Sequence, residues 1–294
     1  MSLSALHDLP APAKLNLFLH VVGRRPDGYH LLQSAFVLID WCDTLHVERR
    51  TDGRISREDL GPVLPDDDLC TRAARLLQQA SGTTLGAHIA IDKRVPWGAG
   101  LGGGSSDAAT TLLALNRLWG LDWPRARLLD LGLRLGADVP FFLGGDNAWV
   151  EGIGEQLTPI TLAPRTWVVL KPPVAIPTAA IFSSPLLTRN TEPARMAVFL
   201  AAPERFGKND LQVCATEYSL QVVDSLKLLA DNFGLSRMSG SGSAVFAPWN
   251  DQQESDGDEL PERLTRSLAT LGLGWTARRC RSLEAHPLKA WCRD

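Results

Sequence analysis

The glycine-rich stretch at residues 95–107 constrains this chain more than any other feature. Five of its thirteen residues are glycine. The alternation of residues 88–95 predicts a strand before it, and the apolar run at residues 108–119 predicts a helix after it. Glycine lets the backbone approach a ligand closely, and free N–H groups at a helix start attract anions. We therefore expect a loop that binds a phosphorylated ligand. The residues expected to cap its helix are Ser105, Ser106 or Asp107.

Common nucleotide-binding signatures describe this loop poorly. No lysine follows the glycines, as the pattern G-x-x-x-x-G-K-[ST] requires. Gly98, Gly100 and Gly103 do satisfy G-x-G-x-x-G, but no βαβ unit with an acidic residue at a strand end accompanies them. A tight turn without a ligand is the plain alternative.

Length and composition limit the classes of protein to consider. The 294 residues, 45% of them hydrophobic, allow a large core and about two domains, here divided as residues 1–157 and residues 158–294. The net charge of −3 disfavours a nucleic-acid partner. No apolar run approaches the roughly 18 residues of a membrane span, and the start lacks a basic and apolar leader. We therefore expect a cytoplasmic protein.

The cysteines form no recognisable pattern. There are five, scattered and without C-x-x-C spacing. This indicates reduced thiols, and neither a disulfide framework nor a zinc site.

The alternating segment at residues 13–22 predicts a strand with one polar face. Four apolar side chains share one face of it: Leu15, Leu17, Leu19 and Val21. The other face carries Lys14, Asn16, Phe18 and His20. We expect this second face to meet a ligand. The alternative for Lys14 alone is a solvated strand lysine.

A turn with clear backbone chemistry follows at residues 26–28. Pro26 presets φ, and Gly28 can take positive φ. The turn holds Tyr29 and His30, an aromatic ring and an imidazole that can stack on a planar ring and hydrogen-bond to it. The alternative is a hairpin corner with a satisfied histidine. Residues 31–49 then predict one or two strands.

Two acidic positions stand next to predicted helices. One of the aspartates at residues 66–68 is expected to cap the helix that follows, because neighbours in sequence do not point at one metal. Asp138 follows a predicted helix at residues 124–135 that Gly136 ends, and a mostly apolar run comes after it. A carboxylate in such surroundings needs partners. The alternative is that Asp138 caps a short next helix.

The second half is less informative. Strands are predicted at residues 167–171 and 275–280, and helices from residue 178 and at residues 219–232 and 259–271. Residues 183–208 are expected to be irregular in part, and residues 250–258 to form a solvated acidic linker. The glycine–serine loop at residues 238–247 is a candidate second phosphate cradle.

Five segments in order carry a resemblance to a known family. They are residues 12–19, 25–30, 95–107, 136–140 and 238–247. Together they resemble the GHMP kinases, small-molecule kinases whose glycine loop wraps the triphosphate of ATP. The Asp-Gly-Tyr-His turn resembles that of one branch of the family. The kinases of this branch phosphorylate a cytidine diphosphate-linked methylerythritol in non-mevalonate isoprenoid biosynthesis. The resemblance covers nearly the whole chain and is weakest at residues 51–66, 183–208 and 250–262.

The resemblance implies a fold, an activity and a set of roles. The fold is α+β, with two domains and the active site in the cleft between them. Lys14 and Asp138 would form the catalytic pair, with Mg²⁺ bridging the phosphates and Ser106 as a candidate ligand. The loop residues implied to hold ATP are Pro96, Trp97, Gly98, Ala99, Gly100, Leu101, Gly102, Gly103, Gly104, Ser105 and Ser106.

The resemblance also implies a substrate site. Tyr29 and Phe182 would sandwich the cytosine, and His30 would read its polar edge. Asn16 would contact the methylerythritol end, and residues 209–210 match an element near the substrate. The enzyme would act as a monomer or a homodimer.

Two residues depart from the family pattern, and two other functions compete. Asp68 stands where an asparagine borders the nucleotide, and Trp97 replaces a smaller apolar residue. One rival is a GHMP kinase for homoserine or mevalonate, which leaves the Asp-Gly-Tyr-His turn unexplained. The other is a non-catalytic nucleotide sensor, which would not need the lysine–aspartate pair.

Overall fold

The computed structural model describes residues 3–249 and 260–294. The expected acidic linker at residues 250–258 therefore lies outside the described residues. None of the five cysteines, all of which lie in the described residues, forms a disulfide.

The first sheet has six strands. They are Ala5–Arg24 (β1), His30–Arg50 (β2), Ile55–Asp59 (β3), Gly86–Asp92 (β4), Ala148–Glu151 (β5) and Gln156–Pro159 (β6). The order is β3-β4-β2-β5-β6, and β1 pairs antiparallel with nearly the whole of β2. Residues 31–49 thus belong to one long strand. This strand, β2, lies in the centre of the sheet, because its C-terminal part pairs with β4 and its N-terminal part pairs with β5.

A β-bulge divides β1 and corrects its predicted faces. Asn16 pairs with Phe36, but Leu19 pairs with Ser34, so β1 carries one extra residue between the two pairs. An extra residue exchanges the faces beyond it. As a result Phe18 is fully buried between the sheets, while Leu19 lies on the cleft side of β1 with Lys14 and Asn16. The prediction that Phe18 shares the ligand-facing side is wrong for this reason.

Four helices cover one face of the first sheet. They are Leu69–Ser81 (α1), Gly103–Leu118 (α2), Arg125–Leu135 (α3) and Val139–Gly144 (α4). Asp68 caps α1 by accepting from Cys70 N and Thr71 N, which confirms the prediction for one of the three aspartates. Gly82 ends α1 with φ of 68°, a conformation that glycine adopts without strain.

The second sheet is smaller and carries its own helices. Its strands are Thr166–Lys171 (β7), Arg237–Met238 (β8), Val245–Pro248 (β9) and Thr276–Arg281 (β10), in the order β10-β7-β9-β8. The helices of this half are Thr178–Ser183 (α5), Met196–Ala201 (α6), Gln212–Tyr218 (α7), Leu220–Phe233 (α8) and Glu262–Leu271 (α9). The short α6 lies within residues 183–208, which the sequence predicts to be irregular in part.

Three apolar clusters arrange these elements in four layers. One lies between α1–α4 and the first sheet, and another between the second sheet and α7–α9. The third lies between the two sheets, where Leu15 and Phe18 meet Trp167 and Phe246. The order is therefore helices, sheet, sheet, helices. Burial of apolar surface at about 25 cal/mol per Å² makes these three interfaces the main source of stability.

The chain crosses the division predicted at residue 157. Strand β6 straddles it and pairs with β5. Leu288 and Cys292 return to the core between the first sheet and its helices. There Arg125 donates to the carbonyls of Lys289 and Cys292 at 2.8 and 2.9 Å. The two-domain division itself stays a prediction.

Candidate active site

A cleft of about 960 Å³ opens between the two halves and collects most of the predicted site residues. The first half contributes the glycine loop, the turn at residues 27–30 and, between α3 and α4, Ala137 and Asp138. The second half contributes α5 and residues 240–242. Of the residues implied by the resemblance, Ser106 and residues 209–210 do not line the cleft, and the side chain of Ser106 is fully buried.

Glycine is required by the backbone of the loop at residues 95–107. Gly98, Gly100 and Gly102 have φ of 62°, 74° and 72°, values that are strained for other residues. A Cβ on Gly102 would lie 3.0 Å from the ring of Phe142 and 3.2 Å from Cε of Lys14. The loop therefore presents bare backbone to the cleft, as phosphate binding requires.

The prediction of a side-chain cap for α2 is wrong. The helix begins at Gly103 rather than near residue 108, and its N-cap residue, Gly102, makes no side-chain bond. Ser105, Ser106 and Asp107 therefore lie inside the first turn. The backbone N–H groups of this turn are left for a ligand, which suits an anion better than a capped start.

A second glycine loop packs directly against the first. The N–H of Ala244 donates to Ala99 O, and Oγ of Ser239 donates to Gly100 O, each at 3.0 Å. Asn209 supports the second loop from behind, since its Nδ2 donates to the carbonyls of Met238 and Gly240, both at 2.8 Å. Residues 240–242 of the second loop line the cleft beside the first loop, and the role of residues 238–247 as a second phosphate cradle stays a prediction.

The predicted catalytic pair meets at the floor of the cleft. Nζ of Lys14 lies 3.4 Å from Oδ2 of Asp138 and donates to Oδ1 of Asn16 at 2.5 Å. The ammonium also lies 4.4 Å from the centre of the Phe36 ring, and Asn16 donates to Ser34 Oγ at 3.0 Å. The side chain of Lys14 is 4% exposed and that of Asp138 32% exposed. A fixed cation thus stands beside a carboxylate that solvent and ligands can reach.

Asp138 occupies the N-cap position of α4 without capping it. Its side chain makes no cap hydrogen bond, so the capping alternative does not describe its role. Pro140 at the start of α4 has no N–H to satisfy, which reduces the need for a cap. The carboxylate is free to face Lys14.

An aromatic and cationic group forms the other end of the cleft. Tyr29 is 61% exposed. The rings of His30 and Phe182 stack, with centroids 5.0 Å apart and an interplanar angle of 28°. Nε of Arg189 donates to Nε2 of His30 at 3.1 Å. Burial, and then the charges of Arg189 and Arg24, lower the pKa of His30. The cytosine sandwich between Tyr29 and Phe182 stays a prediction.

A buried charged triad supports the glycine loop from below. Nζ of Lys93 lies 2.5 Å from a carboxylate oxygen of both Asp43 and Asp107. Oδ1 of Asp43 also accepts from Arg94 N and Val95 N at 2.6 and 2.7 Å, which fixes the entry to the loop. Burial raises the pKa of Asp107 to about 8, against the opposite effect of Lys93. The ammonium of Lys93 is thus shared by two carboxyl groups, and burial favours the protonated form of Asp107.

The structure gives the two departures from the family pattern different roles. Asp68 does not line the cleft, because its carboxylate accepts from the backbone of α1, from Thr71 Oγ1 and from Arg57. These partners and burial pull its pKa in opposite directions, with a net lowering. Trp97 lines the cleft and is 64% exposed. It offers a large ring surface at the entrance.

Several residues of the site carried no local signal in the sequence. Lys93 and Asp43 are 50 positions apart, and the bond from Asn16 N to Ser239 Oγ joins residues 223 positions apart. Arg189 stands in the segment that was expected to be irregular. Pairing of β1 with β2 could have suggested Ser34, which lies on the cleft side of β2.

The part of the chain that the structure describes gives two negative findings. Within residues 3–249 and 260–294, no three or more His, Cys, Asp or Glu side chains form a group that could hold a metal ion. Among the helices of the same residues, none has the length and apolar character that crossing a membrane requires.

Comparison with known proteins gives consistent results at the family and sequence levels. Residues 68–146 match the family model described as GHMP kinases N terminal domain. The chain is 66% identical over 291 residues to the 4-diphosphocytidyl-2-C-methyl-D-erythritol kinase of Methylibium petroleiphilum, covering 99% of each chain. It is 56% identical to the protein of the same name from Paracidovorax citrulli, covering 98% of each.

Two solved structures are similar to this chain over nearly its whole length. A crystal structure of 4-(cytidine 5'-diphospho)-2C-methyl-D-erythritol kinase matches with a TM-score of 0.75 and 35% identity, over 93% of this chain and 98% of that one. A homoserine kinase from Cytophaga hutchinsonii matches with a TM-score of 0.67 at 14% identity, over 97% and 96%. This second match shows the shared fold alone.

Proposed function

Since this chain belongs to the 4-diphosphocytidyl-2-C-methyl-D-erythritol kinases of the GHMP kinase family, we propose that it transfers the γ-phosphoryl group of ATP to the 2-hydroxyl of that substrate. The products are the 2-phosphate and ADP, and the reaction belongs to non-mevalonate isoprenoid biosynthesis. We place it in the cytoplasm, with the enzyme acting as a monomer or a homodimer. The observation that carries the proposal is the Lys14–Asp138 pair, 3.4 Å apart in a cleft with a glycine cradle.

The two ends of the cleft fit the two substrates. Phosphoryl transfer depends on positioning and on neutralising charge. The bare backbone at residues 98–104 and the start of α2 supply N–H groups for the triphosphate. Tyr29 and Phe182 supply flat apolar surface for the cytosine. Binding energy from the cytidine end then holds the distant hydroxyl in line.

The transfer step uses the pair at the cleft floor. Asp138 accepts the proton of the 2-hydroxyl. At the same time the oxygen of that hydroxyl bonds to the γ-phosphorus, and the bond from phosphorus to the ADP oxygen breaks. The ammonium of Lys14 stabilises the charge that develops on the attacking oxygen. Asn16 fixes the ammonium in place through its hydrogen bond.

One accessible carboxylate fits a magnesium ion that arrives with ATP, namely that of Asp138. Oγ of Ser106, in the first turn of α2, has no hydrogen-bond partner in the described structure, but it is buried and does not line the cleft. Oxygen ligands of this kind suit Mg²⁺, which also keeps phosphate oxygens as ligands. Bound Mg²⁺ would neutralise charge on the phosphates.

A coupled assay of ADP release tests the proposal. Mg-ATP is offered with 4-diphosphocytidyl-2-C-methyl-D-erythritol, homoserine or mevalonate, at equal enzyme concentration. Turnover with the cytidine compound alone is the expected result. Turnover with homoserine or mevalonate instead would assign the enzyme to another branch of the family. ATP binding without turnover of any acceptor would favour a nucleotide sensor.

A further inference from the structure

The guanidinium of Arg189 makes four hydrogen bonds beside the aromatic end of the cleft. Its Nη1 donates to Leu187 O at 3.1 Å, and its Nη2 donates to Phe182 O and Ser184 O at 3.1 and 2.9 Å. Its Nε is left for Nε2 of His30. One planar guanidinium therefore ties the segment after α5 to the turn that carries Tyr29 and His30.

The direction of the bond to His30 follows from chemistry. A guanidinium has N–H donors and no acceptor, so Nε2 of His30 must accept. A neutral imidazole that accepts at one nitrogen carries its proton on the other. Nδ1 of His30 is therefore the protonated nitrogen.

The stacked ring of Phe182 fixes the plane of the same imidazole. The centroid distance of 5.0 Å and the angle of 28° leave the His30 ring one orientation against Phe182, while Arg189 holds its Nε2 corner. Arg189 also holds the carbonyl of Phe182, so one side chain positions both rings. His30 lines the cleft, so its N–H donor is held in a fixed position there.

The charges near His30 favour its neutral form. Arg189 approaches from the segment after α5, and Arg24 from the end of β1. Asp27 lies in the same cleft, but its carboxylate already pairs with Arg25 at 2.7 Å and accepts from Tyr29 N at 3.2 Å. The two cations therefore act on the ring together with burial.

We propose that Arg189 is a positioning residue that holds His30 as the neutral Nδ1–H tautomer stacked on Phe182, so that the cleft offers a fixed hydrogen-bond donor to an acceptor atom of the pyrimidine. The identity of that ring as cytosine rests on the proposed function. Cytosine carries acceptors at O2 and N3, which such a donor can read. The tautomer itself does not depend on any substrate.

Nuclear magnetic resonance of ¹⁵N-histidine-labelled protein tests the tautomer without substrate. His30→Gln identifies the His30 signals. At pH 7.5 the expected spectrum has a protonated Nδ1 and a bare Nε2. Arg189→Leu should lose this single tautomer and raise the pKa of the ring. A wild-type His30 that is protonated on Nε2, or on both nitrogens, at pH 7.5 would overturn the proposal.

Kinetics test the consequence for the substrate between pH 5.5 and 8. In Arg189→Leu, KM for the cytidine substrate should rise about tenfold at pH 7.5, the scale of one lost hydrogen bond, with KM for ATP within about twofold. This rise should become smaller as the pH falls through about 6.5, because the released imidazole then gains a proton and carries N–H on both ring nitrogens, Nδ1 included. Arg189→Lys keeps the charge, so its pH profile should stay closer to wild type.

Two controls separate positioning from loss of structure. Arg205→Leu removes an exposed arginine from the same half of the chain and should change neither KM. A pH-independent rise of KM in Arg189→Leu would mean that the segment is merely disordered, and the proposal would be wrong. If the cytidine compound is not a substrate at all, the proposed function fails, whereas the resonance experiment still decides the role of Arg189.

Discussion

The backbone of Gly100 lies so close to the carbonyl oxygen of Ser239 that a Cβ atom on Gly100 would overlap that oxygen. The same Cβ would lie 3.1 Å from Gly242 N. The two glycine loops, more than a hundred residues apart in the chain, thus meet backbone to backbone, beside the bond from Ser239 Oγ to Gly100 O. This contact makes them one continuous surface, which is the proposed cradle for the triphosphate.

Gly100→Ala should separate the two loops. The φ of 74° and the overlap with Ser239 together should cost about 2–4 kcal/mol of unfolding free energy and raise KM for ATP at least tenfold. Chemical denaturation and steady-state kinetics measure both effects. Gly104→Ala is the matched control, since its φ is not positive and its Cβ would meet only Leu69, at 3.6 Å. Equal destabilisation by the two variants would contradict the argument.

Asp138→Ala should lower kcat by about 10²–10⁴-fold with ATP binding kept, because the proton acceptor is removed while the cradle is intact. ATP affinity can be followed by calorimetry alongside turnover. Lys14→Met should give a fall of similar order. Near-normal turnover of Asp138→Ala would refute its assignment as the base. Asp130→Asn, on the exposed side of α3, serves as the control.

Tyr29→Ala should raise KM for the cytidine substrate about 5–100-fold and leave KM for ATP nearly unchanged. The estimate follows from the stacking of one base on one aromatic ring. The chain offers a matched control in its only other tyrosine, Tyr218, which is 52% exposed on α7 and away from the cleft. An equal rise of both KM values in Tyr29→Ala would argue against stacking.

Asp68→Ala should affect stability rather than ATP binding. Its carboxylate caps α1 and pairs with Arg57, so its loss should cost about 1–2 kcal/mol of unfolding free energy. KM for ATP should change less than threefold. Asp68→Asn keeps the cap and should recover most of the stability. A large loss of ATP affinity in Asp68→Ala with unchanged stability would instead indicate that Asp68 contacts the nucleotide.

Asp107→Asn should reduce the loss of stability that accompanies rising pH. The folded protein holds the proton of Asp107 up to about pH 8, whereas the unfolded chain releases it near pH 4. Wild type therefore loses stability between these values, by at most about 1.4 kcal/mol per pH unit for one proton. The asparagine variant lacks this proton, so its advantage over wild type should grow from pH 5 to 8. Denaturation at several pH values measures it.

Asp231→Asn, an exposed aspartate on α8, is the control for that series and should follow the wild-type slope. Parallel slopes for wild type and Asp107→Asn would mean that Asp107 is ionised in the folded protein, and that the triad is balanced in another way.

The cleft floor was predictable because its residues sit in patterns that local physics determines. Alternation placed Lys14 and Asn16 on one face, and glycine spacing marked the loop at residues 95–107. Asp138 could be recognised as a carboxylate that needs a partner. These predictions depend on a few neighbouring residues, which is where sequence patterns are strongest.

Features that depend on distant partners could not be predicted in this way. The bulge in β1 is visible only when β2 is paired with it, so the burial of Phe18 was missed. The start of α2 was placed late because glycines usually weaken helices, whereas here the first turn is fixed by the packing of Gly103 against Val95 and Lys93.

Because the C-terminal segment returns to the first core, the folding of the N-terminal half depends on residues that are synthesised much later. A nascent chain that has reached residue 250 already contains Lys14, Asp138 and both glycine loops. It still lacks Leu288 and Cys292, which fill the core beneath α3, and the carbonyls that receive the guanidinium of Arg125. The N-terminal half therefore emerges from the ribosome with part of its core unfilled, and we expect its folding to be completed after residue 292 has been translated.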